Sequence, residues 1–186
     1  VDPDWKIMPA LAPDVVVDAI MAKRNLGTGS HEARLVIGVG PGFTAPHDVH
    51  AVIESNRGHD LGRVIYNGSA EPHTGIPGTI EGLSAERVLR APIEGRVTHV
   101  RSLGDEVKKG DLLLHVGNVP VYAPFDGILR GLIREMHVAR REKVGDVDPR
   151  ASKRYCYTIS EKARSIGGGV LEAILHEFNT KCPKRT

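Results

Sequence analysis

The sequence predicts an α+β protein: a small α/β remnant, a β-rich sandwich and a C-terminal helix. The unit Ala-Pro-x-acid-Gly-x-apolar occupies residues 91–97 and returns at 123–129. Such self-similarity at a fixed offset reveals the architecture of a chain. Short apolar runs and glycine-rich turns fill the remainder. We therefore predict an α/β segment at 1–88, the sandwich at 89–150, and a strand and helix at 151–186 that pack back on the first segment.

The two copies of this unit read as the starts of equivalent strands. Pro92 and Pro124 lack a ladder donor, so each can only open a strand. Gly95 and Gly127 each follow an acidic residue, which is typical of a turn or bulge. The apolar run at 112–116 suits a buried strand. Two such halves can interlock into a sandwich that covers its own edges.

The repeated segment resembles the biotinyl and lipoyl carrier domains, whose fold is a barrel-sandwich hybrid. The matching residues are Ala91-Pro92, Gly95, Gly104-Asp105, Val107, Gly110-Asp111, Ala123-Pro124 and Gly127. The resemblance implies a modified lysine on the hairpin between the halves. That hairpin, at 116–121, contains no lysine here. We therefore expect the carrier fold without a covalently attached arm.

Composition and charge exclude several classes of function. The net charge of +2 over 186 residues gives no electrostatic case for nucleic acid or an anionic membrane surface. Aromatic residues make up 4% of the chain, which argues against base stacking. We find no run long enough for a transmembrane helix and no signal peptide. We expect a cytoplasmic protein without nucleic-acid or membrane partners, and the sequence leaves a homo-oligomer open.

Cysteine usage points to a reducing compartment. Cys156 and Cys182 are the two cysteines of the chain. They form neither a Cys-x-x-Cys metal motif nor a disulfide framework. We expect both thiols to be free.

Four histidines raise the question of a metal site. They are His47, His50, His59 and His73. In a strand, the spacing of His47 and His50 places them on opposite faces. No cysteine or acidic pair completes a tetrahedral set. We expect no metal site.

A basic loop follows the first apolar run of the chain. Residues 15–21 are almost continuously apolar, as in a strand buried on both faces of a parallel sheet. Ligands of open α/β sheets bind beyond the carboxyl ends of such strands. The loop is therefore either an anion site or a solvated basic turn. A central strand needs neighbours, so we expect either that an N-terminal α/β portion is absent or that 1–34 packs on another subunit. The candidate ligands are Lys23, Arg24, Asn25 and Gly27.

A second strand, at 35–39, runs into a glycine-rich turn. The turn is not the dinucleotide fingerprint, because Pro-Gly-Phe follows the first glycines and no helix follows. Its glycines would let a ligand or another backbone approach closely. Gly38, Gly40 and Gly42 are therefore candidate ligand contacts, with a structural turn as the alternative.

A predicted hairpin joins residues 48–54 to 63–66 around a long polar loop. A second loop, at 67–78, has no predicted element of its own. Loops of this length in a compact domain are functional or disordered. The small residues of the second loop favour an ordered one. The candidate ligands in the two loops are Asn56, Arg57, Ser69 and Glu71.

The C-terminal segment is predicted to hold a strand, a cap and a triple-glycine turn. Residues 155–160 read as a strand, and residues 160–163 are predicted to start a short helix with Ser160 as its cap. The glycines at 167–169 are predicted to open a helix that ends near Phe178. Free amides at a helix N-terminus form an anion site, and a tight packing turn is the alternative. The candidate ligands are Gly167, Gly168, Gly169 and Glu172.

Several of these stretches together resemble one family, the accessory protein of the selenium-dependent molybdenum hydroxylase system. They are Met-Ala-Lys-Arg-Asn-Leu-Gly at 21–27, Gly-Val-Gly-Pro-Gly-Phe-Thr at 38–44, Asn-Arg-Gly-His at 56–59, Gly-Ser-Ala-Glu-Pro at 68–72 and Gly-Gly-Gly-Val-Leu-Glu-Ala at 167–173. The resemblance implies a maturation factor that helps to install selenium or a molybdopterin cofactor. Its partner would be the hydroxylase apoprotein. Members of the family usually have a longer N-terminus with a nucleotide-binding-like α/β segment.

A local resemblance raises the question of chemistry. The stretch 165–172 is similar to a turn of the chaperones that deliver sulfurated molybdenum cofactor to xanthine dehydrogenase. That turn carries a cysteine after its glycines, where this chain has Val170. A selenium- or nucleotide-transferring enzyme would therefore use Cys156, with Glu71 or Glu172 moving protons. A lowered thiol pKa would favour such an enzyme, and a buried thiol would favour a binding factor.

The four loops lead to one structural expectation. We predict that 23–29, 38–42, 67–71 and 167–169 converge on a cleft outside the sandwich, where backbone amides surround an anionic ligand. Lys23 and Arg24 would supply the charge. A scaffold that only docks to the hydroxylase would instead leave the glycine loops facing solvent separately.

Overall fold

The computed structural model describes residues 5–73, 75 and 78–179, and the chain divides into two compact units. The first unit combines Val1–Thr74 with Ser160–Thr186, and the second unit is Gly75–Ile159. The fold class is α+β, as predicted: short strands form sheets, and one long helix lies near the C-terminus. Among the described residues, no helix has both the length and the apolar composition that a bilayer crossing needs.

The first unit is built on one mixed sheet. Its strand order is β1-β2-β4-β5, with β1–β2 and β2–β4 parallel and β4–β5 antiparallel. The antiparallel β4–β5 pair confirms the predicted hairpin. The carboxyl ends of β1, β2 and β4 therefore meet at one edge of the sheet, which we call the carboxyl edge. The elements of this unit are α1 (Met8–Leu11), β1 (Val15–Asp18), β2 (Leu35–Val39), β3 (Thr44–Ala45), β4 (Ala51–Ile53), β5 (Val64–Ile65), β6 (Gly68–Ser69) and α2 (Glu161–Asn179).

Strand β2, rather than β1, is the central strand of this sheet. All five residues of β2 are buried, whereas Val17 of β1 is 39% exposed. The parallel pairing predicted for the first apolar run is confirmed, but its predicted central position is wrong. The run reads as a central strand because Ile20 and Met21 extend it, yet both lie beyond β1 and are exposed.

Helix α2 covers one face of the sheet. Ala173 is fully buried and packs in one apolar cluster with Ile37 and Ile53. On the opposite face, Phe43 and Val49 pack with residues of β1, β2 and β4 in a second cluster. Both faces of β2 and β4 are therefore covered.

The short helix predicted at Ser160 and the helix predicted after the glycines are one continuous helix, α2. The Ser160 hydroxyl accepts a hydrogen bond from the Ala163 amide at 3.2 Å, which confirms the predicted cap. Residues 167–169 lie inside α2 and do not open it, so the triple-glycine turn is wrong. Each glycine disfavours a helix by about 1 kcal/mol relative to alanine, but the cap and the packed apolar face outweigh that tendency. The predicted strand at 155–160 is wrong: a 3-10 turn, Lys153–Cys156, overlaps its start, and α2 follows at Glu161.

The second unit consists of two four-stranded antiparallel sheets. Their orders are β11-β10-β8-β13 and β7-β14-β12-β9. Strands β7–β10 form the first half and β11–β14 the second, so each sheet takes two inner strands from one half and two outer strands from the other. The predicted interlocking of the halves is thereby confirmed. The strands are β7 (Val88–Arg90), β8 (Gly95–His99), β9 (Glu106–Val107), β10 (Leu112–Val116), β11 (Val119–Tyr122), β12 (Gly127–Leu132), β13 (His137–Val138) and β14 (Lys143–Asp148).

The repeated unit makes equivalent hydrogen bonds in the two halves. The Ala91 amide donates to the Glu142 carbonyl at 2.9 Å, in the turn before β14. The Ala123 amide donates to the Asp111 carbonyl at 2.8 Å, in the turn before β10. Each copy of the repeat is thus fixed to the opposite half of the unit.

Candidate functional site

A buried carboxylate organises the carboxyl edge of the first unit. Glu54 directly follows β4 and is 3% exposed. Its Oε1 accepts a hydrogen bond from the Asn56 amide at 2.7 Å, and its Oε2 accepts one from the Glu71 amide at 2.7 Å. Its own amide donates to the Arg63 carbonyl at 2.9 Å. Glu54 therefore joins the loop after β4 to the loop after β6.

Side chains from three separate stretches meet around this carboxylate. The Asn56 side-chain amide donates to Glu71 Oε2, and the Arg57 guanidinium pairs with Glu161 in the first turn of α2. The hydrogen bond from Arg57 is the main cause that lowers the pKa of the Glu161 carboxyl. Burial, and then the Arg57 charge, lowers the pKa of Lys162, although Glu54 and Glu161 oppose the shift. The edge therefore holds the predicted candidates Asn56, Arg57 and Glu71 in one network.

We expect Glu54→Gln to destabilise the protein by about 1.5 kcal/mol, the lower end for hydrogen bonds to charged groups. The glutamine keeps one acceptor oxygen but turns its NH₂ group toward the second backbone amide. Urea unfolding measures the effect, and Glu172→Gln, which alters an exposed carboxyl, is the control. Equal unfolding midpoints for wild type and Glu54→Gln would contradict the bridging role of Glu54.

The glycine turn after β2 lies against two neighbouring segments. A Cβ at Gly42, whose φ is +111°, would lie 2.6 Å from the Arg24 Cα. A Cβ at Gly40, whose φ is +82°, would lie 2.5 Å from the Ser55 Oγ. Packing alone therefore accounts for these two glycines. The contacts bring the 38–42 loop against the basic loop and against the end of β4.

The basic loop is closed by hydrogen bonds of its own. The Asn25 Oδ1 accepts from the amides of Gly27 and Thr28 at 2.8 and 2.9 Å, and its Nδ2 donates to the Thr28 carbonyl at 2.8 Å. The Thr28 hydroxyl donates to buried Asp18 at 2.7 Å. Asn25 therefore shapes the loop, and ligand contact by Lys23, Arg24, Asn25 and Gly27 stays a prediction.

The glycines of α2 do not provide a helix N-terminus. Their amides lie within the helix, so the anion-site argument for them is wrong. A Cβ at Gly169 would collide with the Gly62 carbonyl oxygen, which supports the alternative of tight packing. At Gly167 and Gly168 a Cβ would meet nothing within 4 Å. These two positions face open space, and ligand contact by them stays a prediction.

A cleft of about 480 Å³ opens beside β5. Ser69 and Glu71 are the predicted site residues in its wall, and the buried Glu54 also lines it. Among the residues that the structure describes, none from the loops at 23–29, 38–42 or 167–169 lines this cleft. Their convergence on one ligand stays a prediction. The lining residues are Glu54, Asp60, Arg63, Val64, Ile65, Tyr66, Asn67, Ser69, Ala70, Glu71 and Pro72.

Sequence reasoning missed an aromatic residue in the wall of this cleft. The Tyr66 ring lies 4.9 Å from the His176 ring of α2, centroid to centroid, at an angle of 39°. Burial, and then the charge of Glu172, raises the pKa of the Tyr66 hydroxyl, which therefore remains a donor at neutral pH. The available signal was the scarcity of aromatic residues together with the position of Tyr66 at the end of a strand before a long loop.

The candidate thiol lies in the second unit. Cys156 ends the 3-10 turn Lys153–Cys156 and is half-buried and free. Burial raises the pKa of its thiol, and the nearby Arg130 opposes the shift without reversing it. Cys182 lies outside the described residues. A thiol with a raised pKa is a poor nucleophile at neutral pH.

The histidines considered for a metal site have other roles where the structure describes their contacts. The His50 Nδ1 accepts from the Val36 amide at 2.9 Å, and His47 pairs with Asp48 at 2.9 Å. Within residues 5–73, 75 and 78–179, no three His, Cys, Asp or Glu side chains are grouped closely enough to hold a metal ion.

Comparison with known proteins finds one informative relative. No protein-family model matches the chain. The chain is 49% identical over 176 residues to the uncharacterized protein YqeB of Escherichia coli strain K12, a match that covers 94% of the chain and 32% of YqeB. It therefore spans about a third of the relative it matches. A crystal structure of an aspartoacylase family protein from Mesorhizobium loti is 16% identical in sequence to this chain. The match covers 45% of this chain and 27% of the aspartoacylase-family chain, and its TM-score of 0.34 is too low to support a conclusion.

Proposed function

We propose that the protein is an accessory factor in the maturation of a selenium-dependent molybdenum hydroxylase. In this proposal the carboxyl edge of the first unit binds an anionic cofactor of the molybdopterin or nucleotide type, or a selenium species. One observation carries it: Asn56 and Glu71, selected from separate loops by sequence, are joined at this edge by buried Glu54, and the amide of the candidate Arg57 donates to the Asn56 side chain at 3.0 Å. Ligands of open α/β sheets bind beyond the carboxyl ends of the strands.

The charges near the edge suit an anion. Arg57 and Lys162 lie close enough that the arginine lowers the pKa of the lysine, so two cationic side chains face one region. A guanidinium can hold a phosphate through two parallel hydrogen bonds. The packing of Gly42 on Arg24 adds the basic loop to the same side of the sheet. An anion that binds here would compete with Glu161 for Arg57.

Two features support a binding factor over the alternatives. The raised pKa of Cys156 speaks against the enzyme that would transfer selenium through a thiol. The turn at 40–42 packs against neighbouring segments, which speaks against a scaffold whose glycine loops face solvent separately. Gly167 and Gly168 do face open space, as that scaffold would require. Proton transfer by Glu71 or Glu172 remains part of the enzyme alternative.

We also propose that the second unit is a barrel-sandwich hybrid that lacks the carrier function. The exchange of strands between its two sheets supports this fold. The hairpin between β10 and β11 turns at Gly117 and Asn118, where the carrier domains would place their lysine. In this proposal the unit carries no biotinyl or lipoyl group. The partner is the hydroxylase apoprotein in the cytoplasm, and self-association is left open.

The test is complementation in a host that lacks the protein and contains a selenium-dependent molybdenum hydroxylase. We expect Arg24→Ala and Arg57→Ala each to lower the pterin or selenium content of the purified hydroxylase by about tenfold, because a charged hydrogen bond contributes about 1.5–3 kcal/mol. The control is Arg34→Ala, which removes another exposed arginine, the partner of Glu177. Normal maturation by both site variants would refute the proposal, provided that all three variants accumulate to equal levels.

A further inference from the structure

We propose that the cleft beside β5 binds a planar heterocycle through the edge where an exocyclic amino group stands next to a ring N–H. Guanine and pterin share this edge. The inference rests on the proposed function, because it names the part of the ligand that the first unit recognises. The cleft volume, about 480 Å³, lies in the range of about 300–1,000 Å³ that is usual for small-molecule sites.

One wall of the cleft presents an aromatic surface. Tyr66 is 41% exposed although it lines the cleft, and its ring is held against the His176 ring of α2. Aromatic rings bind planar heterocycles face to face or offset, and bases stack on such rings in nucleic-acid sites. Because His176 already restrains the ring, little additional order is needed when a ligand stacks.

The polar groups in the wall match the proposed edge. A carboxylate offers about four acceptor positions, and the Asn56 amide uses one of those on Glu71. Glu71 can therefore accept two parallel N–H bonds from an amino group and the adjacent ring nitrogen. Asn67, whose side chain makes no hydrogen bond within the described residues, can pair with a ring carbonyl. Together, Glu71 and Asn67 can form hydrogen bonds with the amino group, the ring N–H and the carbonyl that guanine and pterin share.

Glu71 is held in place before any ligand arrives. Its amide is bonded to buried Glu54, and its carboxylate is bonded to Asn56. The neighbouring Ser69 hydroxyl shares a hydrogen bond of 2.9 Å with Thr44, across the β3–β6 pair. A site built to bond a polar group rejects an analogue that lacks the group, because its own partners are then left unpaired. A ligand without the amino group should therefore bind more weakly. The loss of affinity should be larger than the loss of one contact would cause in a flexible site.

The experiment compares two ligand pairs that differ only in this amino group. The probes are pterin against pteridin-4(3H)-one, and GMP against IMP, titrated onto the full chain by calorimetry. We expect the amino-bearing member of at least one pair to bind about tenfold more tightly, which corresponds to about 1.4 kcal/mol. We expect Glu71→Gln to reduce that preference to about threefold or less, and Tyr66→Ala to weaken both members of the pair alike. The control is Glu177→Gln, an exposed carboxyl elsewhere on α2.

Each outcome decides the inference. Preference within the pterin pair identifies a pterin ligand, and preference within the guanine pair identifies a nucleotide. Equal binding of the members, an unchanged preference in Glu71→Gln, or no binding of any probe by the wild-type chain would overturn the inference. The proposed function is judged separately. If Arg57→Ala or Arg24→Ala impairs maturation while the probes fail to bind, the inference alone is wrong; if both variants support normal maturation, the proposed function is wrong as well.

Discussion

Replacement of Asp148 by alanine is expected to destabilise the second unit by about 3–5 kcal/mol, as for the loss of one partner from a buried ion pair. Asp148 ends β14 and is 0% exposed. Its carboxylate accepts hydrogen bonds from Arg150 Nε and Nη2 at 2.9 and 2.6 Å and lies 3.5 Å from the Arg130 guanidinium. The alanine would leave two partly buried cations without their shared partner. Urea-induced unfolding should show the loss.

The same carboxylate predicts how stability changes with pH. Burial raises the pKa of Asp148, but the hydrogen bonds and charge of Arg150, with Arg130, outweigh burial and leave that pKa below 3.8, its ordinary value. A group whose pKa is lower in the folded state contributes stability above its unfolded pKa, and this contribution disappears as pH falls through the folded pKa. The wild type should therefore lose more stability than Asp148→Asn between about pH 5 and pH 2. Parallel acid-unfolding curves would contradict the role of the pair.

Gly169→Ala is expected to be the most damaging small change in α2. The added methyl group would meet the Gly62 carbonyl oxygen in the loop before β5. Overpacking of this kind costs about 1–3 kcal/mol even after side chains adjust, and a backbone oxygen can adjust less. The helix would have to move away from the sheet, and the buried contacts of Ala173 would loosen. The measurement is the free energy of unfolding from urea titration.

The neighbouring glycine is the matched control. Gly168 is exposed, and a Cβ there would meet nothing within 4 Å. Gly168→Ala should therefore stabilise the protein by about 0.5–1 kcal/mol, since alanine favours a helix more than glycine does. The two variants differ by one position and should change stability in opposite directions. Stabilisation by both variants would show that the close approach at Gly169 is not rigid.

Most of the strands could be predicted, because their signals are local or repeated. The parallel β1–β2 pair, the β4–β5 hairpin and the interlocked halves follow from apolar runs, turn residues and the copied unit. The continuation of α2 through residues 167–169 could not be predicted, because three consecutive glycines disfavour a helix locally. The close packing of Gly169 against Gly62 favours glycine inside the helix, but nothing in the local sequence indicates this tertiary contact. Only the Ser160 cap indicated the true beginning.

The site could be predicted in part for a related reason. Polar residues in loops, such as Asn56, Arg57 and Glu71, are conspicuous in sequence and proved to be neighbours. Glu54 was read as the polar end of a strand, since nothing in the sequence distinguishes a buried glutamate bonded to two amides from an exposed one. Tyr66 was likewise read as a strand residue. Glu172 was selected for its position after the glycines, and its charge acts on Tyr66 through the fold.

The exchange of strands in the second unit has a consequence for how the chain folds. Strand β7 pairs with β14, so Val88 lies opposite Asp146 at the far end of the repeat. Neither half contains a complete sheet, so we expect neither half to be stable by itself. The chain must close long loops before these strand pairs can form, and the conformational entropy lost in closing the loops slows folding. During synthesis, the first half of this unit should therefore stay unfolded until the second half is complete, and the unit should then form in one cooperative step.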